Sequence, residues 1–185
     1  MKSDDSVAAV IEVLNHLGLR YMVTGSLASN VYGFERASVD ADFVVQPDSD
    51  SIVLLGRSLP ASLKMDTQAT FETITGTTRF IIRAGKRFKI EVFILSDDAH
   101  DQERFRRRRR GVVAGQPVWL PSPEDVIVTK LRWSKEGKRT KDVDDVRNVI
   151  AVQGDAIDWA YVARWCDEHG TRELLDNIRK DVPAR

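Results

Sequence analysis

Gly25-Ser26, the pair Asp40 and Asp42, and Glu91 are the residues whose types and spacing could do chemistry. In a β-strand successive side chains alternate between faces, so Asp40 and Asp42 share one face and Ala41, Phe43 and Val45 take the other. The run Phe88 to Leu95 alternates in the same way and puts Glu91 with Lys89 and Phe93. Two such strands side by side would gather three carboxylates on one sheet face. At ~4 Å two such charges repel by about 4 kcal/mol near a protein surface, so a cation is the natural occupant. Mg²⁺ is the parsimonious ion, and phosphoryl or nucleotidyl transfer the parsimonious chemistry. The plainer alternative makes Asp40 and Asp42 exposed strand charges and pairs Glu91 with Lys89 or Lys86.

Gly25-Ser26 has a place in the chemical reading. A strand-to-helix turn points free backbone N–H groups and the positive end of the helix at whatever lies there. Glycine lets a phosphate approach the backbone, and the Ser26 hydroxyl can donate to a phosphate oxygen.

The elements that must position these residues follow from periodicity. Val7, Val10, Ile11, Leu14 and Leu17 recur at helical spacing, which predicts a helix over 4–17 with Ser3 before it and Gly18 after it. A short strand over 21–24 runs into Gly25-Ser26, a brief helix covers 27–32, and a strand covers 39–46. Asp48 to Ser58 reads as a helix with Ile52, Leu54 and Leu55 inward. Strands over 77–84 and 88–95, joined at Gly85-Lys86, read as an antiparallel hairpin. A polar segment leads to Arg110, followed by a strand pair around Val112-Val113 and Val118-Trp119-Leu120. Ser122 as N-cap with Pro123 in the first position starts a helical region of four segments, 123–135, 141–152, 158–168 and 172–181. The class is α/β (α+β), a mixed β-sheet flanked by helices with a helical C-terminal part, the boundary lying near Pro121.

Composition excludes several alternatives. The 185 residues carry 28 Lys and Arg against 28 Asp and Glu, so only local patches can steer a charged partner. One cysteine, Cys166, allows no internal disulfide and fits a reducing cytoplasm. No run approaches the ~20 apolar residues of a membrane span, and the acidic start is unlike a signal peptide, so a cytoplasmic protein without membrane contact is expected. His16, His100 and His169 show no zinc spacing. Cys166, Trp133, Trp159 and Trp165 read as core or interface residues.

Val23-Thr24-Gly25-Ser26, then thirteen residues after Ser26, then Asp40-Ala41-Asp42-Phe43, resembles the signature of the DNA polymerase β-like nucleotidyltransferase superfamily. Tyr32-Gly33, the run Arg36-Ala37-Ser38-Val39, Pro123-Glu124-Asp125 with Lys130, and Lys141-Asp142-Val143-Asp144-Asp145-Val146 are similar to AbiEii-type toxins and related minimal nucleotidyltransferases of bacteria. The resemblance covers about residues 8–150; Glu91 departs from the aspartate many members carry there. It implies a nucleotidyltransferase fold, with a catalytic core over 1–120 and a helical extension over 121–185. It also implies two-metal transfer of an NMP from an NTP to a hydroxyl of RNA, tRNA or protein. Asp40, Asp42 and Glu91 would be catalytic and hold two Mg²⁺, with Mn²⁺ as substitute; Gly25 and Ser26 would bind phosphate. A toxin role would imply an antitoxin partner. A non-catalytic nucleotide- or RNA-binding module on the same fold, and a small-molecule, aminoglycoside-type transferase, are the competing functions.

Further side chains could support the site. Lys130 interrupts the buried stripe Val126, Ile127, Leu131, Ser134, so it either meets a carboxylate or phosphate, as a nucleotide-binding group, or snorkels to solvent. Asp142 and Asp145 share an edge of the next helix, as supporting acids or as ordinary helix-start and i,i+4 charges. Arg36 contacts nucleotide phosphate or caps its loop. Arg104, Arg106, Arg107, Arg108, Arg109 and Arg110 form either a solvated helix face or a surface for RNA phosphates.

Overall fold

The strand running into Gly25 forms as β1 (Arg20–Thr24), preceded by α1 (Ser3–His16), whose Val7, Val10, Ile11 and Leu14 are fully buried. The computed structural model describes residues 3–48, 50–73, 75–85, 87–137 and 139–182. Helix α2 (Gly25–Tyr32) begins on Gly25 itself, so Gly25 and Ser26 make its first turn rather than a linker before it. It is followed by β2 (Asp40–Gln46), α3 (Ser51–Ser58), β3 (Leu63–Met65), β4 (Thr70–Glu72), β5 (Thr77–Ala84) and β6 (Phe88–Ile94). Then come α4 (Ala99–Arg106), β7 (Arg109–Val113), β8 (Gln116–Leu120) and four helices: α5 (Pro123–Gly137), α6 (Thr140–Gln153), α7 (Trp159–Glu168) and α8 (Arg172–Asp181).

The main sheet runs β1-β2-β6-β5-β3, with β4 also paired to β5. All its pairings are antiparallel except β2 with β6, which is parallel and sets Asp40 opposite Lys89 and Asp42 opposite Glu91. The second face carries Ala41, Phe43, Val45, Ile82, Ile90 and Val92 into a hydrophobic cluster that α1, α5, α6, α7 and α8 complete. The strand parity read from the alternation is therefore the observed one. The hairpin of β5 and β6 forms as expected; Lys86 of its turn lies outside the described residues.

Three expectations change. The polar stretch before Arg110 contains α4, started by the Asp98 carboxylate, which accepts from the N–H groups of His100 and Asp101. The strands β3 and β4 carry no clear alternation over three residues each, and pairing to β5 supplies their order. In α3, Leu55 alone is buried among its large side chains, while Leu54 faces outward at 47 % exposure. That helix joins the hydrophobic cluster through Leu55.

The start of α5 follows its sequence signal. The Ser122 hydroxyl accepts from the Asp125 N–H (3.3 Å) and donates to the Asp125 carboxylate (2.8 Å). Helix α2 comes close to α6 because Gly33 carries no side chain: a Cβ there would press to 3.1 Å on Asn148 and on the Val149 backbone.

Candidate active site

The acids converge because β1, β2 and β6 are neighbours. Asp40, Asp42 and Glu91 line one cavity of about 60 Å³, together with Ser26, Arg79 and Lys130 among others. Gly25 reaches Asp42 so closely that a Cβ would collide with the Asp42 carboxylate, and its φ of +63° is one that L side chains rarely adopt. Only glycine meets both demands. Burial, then the charges of Asp40 and Glu91, push the Asp42 carboxyl up to about 7.

Asp40 accepts a hydrogen bond from the Ser38 hydroxyl (2.8 Å). Glu91 Oε1 takes two cations, Arg79 Nη1 at 2.8 Å and Lys89 Nζ at 2.9 Å. The Lys89 pairing of the plainer reading is thus real, and it coexists with the gathering of acids. As the side chains stand, no three His, Cys, Asp or Glu groups among the described residues are arranged around one point. Arg79 and Lys89 both sit on Oε1 of Glu91, whose charge still contributes to raising the Asp42 carboxyl. The donor set still fits a hard divalent cation: oxygen ligands only, and a buried acid whose raised pKa a cation would relieve.

A second polar layer lies behind Ser26. Arg36 donates through Nη2 to Ser26 Oγ (2.9 Å) and holds Asp145 with two bonds, at 2.7 and 2.9 Å. Lys130 is 3 % exposed and meets Asp142 at 2.9 Å and Asp145 at 2.8 Å. It does not snorkel. Burial raises the Asp145 carboxyl, but the Arg36 hydrogen bonds and the Lys130 charge outweigh it and hold it below the usual 3.8. Arg36, Lys130, Asp142 and Asp145 therefore form one charged lattice connected to Ser26, buried at Lys130, Asp142 and Asp145 and part-exposed at Arg36, and Lys130 also lines the cavity.

The arginine run does not form one surface. Arg104 is buried, ion-paired with Asp101 (2.7 Å) and donating to the Thr24 hydroxyl (3.3 Å). Arg106 is exposed and pairs with Glu103. Arg107 lies over the Tyr161 ring and near Asp125, Arg108 over Phe105, and Arg110 over Trp119. The run crosses from α4 through a turn into β7, so neither a single solvated helix face nor a continuous RNA surface is built from it.

Sequence reasoning missed Arg79, Arg139 and the contribution of Trp133 to the cavity wall. The parity of β5, which puts Thr77, Arg79, Ile81 and Arg83 on one face, held the signal for Arg79; only the pairing to β6 says which face that is. The histidines also move together: His100 and His169 lie with ring centroids 5.4 Å apart, His100 against Asp125 at 3.3 Å, without a third ligand. Cys166 is buried in the core as expected.

No protein-family model and no curated protein matches the chain. Solved structures do. ANT(2'')-Ia in complex with adenylyl-2''-tobramycin is similar with a TM-score of 0.64 at 14% identity, over 94% of this chain and 99% of that one. An antigenic nucleotidyltransferase-like protein from Paracoccidioides brasiliensis is similar with a TM-score of 0.56 at 18% identity, over 96% and 92%. The chain shares the fold of these nucleotidyltransferase structures. On this nucleotidyltransferase fold the acids of β2 and β6 and the first turn of α2 share one end of the sheet. Among the described residues no helix is long and apolar enough to cross a membrane.

Proposed function

We propose that this chain transfers an NMP unit from an NTP to an acceptor hydroxyl. The observation that carries the proposal is the parallel register of β2 and β6, with Asp42 opposite Glu91 and the Gly25 backbone against Asp42. Asp40, Asp42 and Glu91 are the groups that would hold Mg²⁺, or Mn²⁺ in its place. Bound there, two divalent ions supply positive charge to the triphosphate and to the attacking oxygen.

The rest belongs to the chain's own residues. The first-turn N–H groups of α2 and the Ser26 hydroxyl bind β- and γ-phosphate oxygens, and Arg36 orients Ser26 while Asp145 holds Arg36. Lys130, which lines the same cavity, adds positive charge beside those phosphates. The acceptor oxygen attacks the α-phosphorus in line, the bond from that phosphorus to the bridging oxygen breaks, and pyrophosphate leaves as the hydroxyl proton passes to solvent water. A binding-only module on this fold would have no need to bring Asp40, Asp42 and Glu91 together at the cost of their repulsion.

The test is a transfer assay with each α-labelled NTP, Mg²⁺ and total bacterial RNA and protein, run beside Asp40→Asn/Asp42→Asn. Label in a macromolecule with the native chain and none with the variant is the expected result. Equal labelling by both proteins would remove these carboxylates from the reaction.

A further inference from the structure

Beyond the acids, the same sheet face turns basic in a line. The register sets Asp40 beside Lys89, Lys89 beside Arg83, and Arg83 beside Lys64, across β2, β6, β5 and β3. Directly paired residues point to the same side of a sheet, so this row lies on the face of the cavity. Steps between strands are ~5 Å, which puts Lys64 about 10 Å beyond Lys89. Arg79, four residues and two same-face rows along β5 from Arg83, adds a fourth cation on that face. The Lys64 and Arg83 side chains reach solvent, Arg83 at 63 % exposure, and the Lys89 side chain is 42 % exposed. Acids oppose them: Asp66 holds Arg83 with bonds of 3.1 and 2.8 Å, and Glu91 holds Lys89 at 2.9 Å and Arg79 at 2.8 Å.

We propose that Lys89, Arg83 and Lys64, with Arg79 further along the same face, form a phosphate track for a single-stranded polynucleotide acceptor whose terminal hydroxyl lies at Asp40, Asp42 and Glu91. The proposal rests on the nucleotidyl-transfer reading and names its acceptor class. A polynucleotide carries its reactive hydroxyl at the end of a line of negative charges, and here a line of positive charges ends at the acids. A polycationic small molecule would meet repulsion along the same row.

The test is direct binding, without nucleotide and with chelator, so that it does not depend on transfer. Fluorescence anisotropy of a short labelled RNA of mixed sequence, and of DNA of the same sequence, is read across a salt series. Binding of either supports the track, and the comparison tells which sugar is preferred. Lys64→Glu/Arg83→Glu should weaken binding about tenfold or more at low salt and flatten the salt slope by about 0.7 for each lost phosphate contact. Asp66→Asn, which releases Arg83 and keeps every cation, should tighten binding. Arg106→Glu/Arg109→Glu, in the dispersed arginine run, should leave it unchanged. Absence of binding to both oligonucleotides, or equal affinity of the native chain and Lys64→Glu/Arg83→Glu, overturns the track. Transfer to RNA with unaltered binding in the track variant would defeat this proposal alone. Altered binding with no transfer under any NTP would defeat the nucleotidyl-transfer reading and leave the track standing.

Discussion

Gly25 and Asp42 hold each other to a single solution. A side chain at Gly25 is opposed twice, by the left-handed backbone at about 1–2 kcal/mol and by the Asp42 carboxylate lying where the Cβ would go. Gly25→Ala should therefore lower the melting temperature and cut transfer by about 100-fold or more, because the acid that must move is the one the reaction uses. Asp42 also carries a pH signature. Its folded pKa lies above the unfolded 3.8, so the native state holds the proton more tightly, and this stabilisation is full below pH 4 and fades as pH rises through about 7. Asp42→Asn removes the penalty: in chelator, it should raise the melting temperature relative to the native chain at pH 8 and much less at pH 5. Mg²⁺ with an NTP should raise the melting temperature of the native chain, and Asp42→Ala should abolish that shift. An unchanged ligand shift in the variant would show that this carboxylate is not the metal site.

At the scale of elements, α5 and α6 are joined by charge as well as by apolar packing. Lys130 from α5 reaches two carboxylates of α6, all three groups being almost fully buried. Replacing it leaves Asp142 and Asp145 facing one another, with Arg139 on Asp142 at 3.3 Å and Arg36 on Asp145 as remaining partners. Removing one member of a buried pair costs about 3–5 kcal/mol, so Lys130→Met should lower the urea unfolding free energy by about 3 kcal/mol. Lys141→Ala, one exposed residue away from Asp142, should change it by less than about 0.5 kcal/mol. If the two variants are alike, the lattice is not what ties these helices together. Because Arg36 extends the lattice to Ser26, Lys130→Met should also raise the KM for NTP.

The whole molecule carries a related acid sensitivity. Burial works against the ionised forms of Asp101, Asp125 and Asp145. Partners outweigh it: chiefly Arg104 for the first, His100 and Tyr161 for the second, and Arg36 for the third. All three folded pKa values lie below the unfolded 3.8, so their stabilisation is present above pH 4 and is lost as pH falls through the folded values. Thermal unfolding should show a steep acid limb below pH 4. The deficit of Asp145→Asn should be large at pH 7 and shrink along that limb; a deficit independent of pH would mean that the carboxylate charge is not what stabilises.

Local rules determined much of this protein from its sequence. Period-two alternation put Asp40 with Asp42 and Glu91 with Lys89, Ser122-Pro123 started α5, and Gly25-Ser26 marked the turn, because each depends on neighbours within a few residues. Tertiary structure decided the rest. Which strand lies beside β2, and in what register, depends on packing between distant segments, and that alone brings Glu91 opposite Asp42 and lines up Lys89, Arg83 and Lys64. The arginine run looked like one patch because charge was counted along the chain; the turn between α4 and β7 sends its members in different directions. Lys130 was visible as a charge in an apolar stripe, yet its partners became known only when α6 folded against α5. A sequence specifies faces through local geometry, whereas a site requires faces from separate segments to meet, and only the packed core sets that meeting.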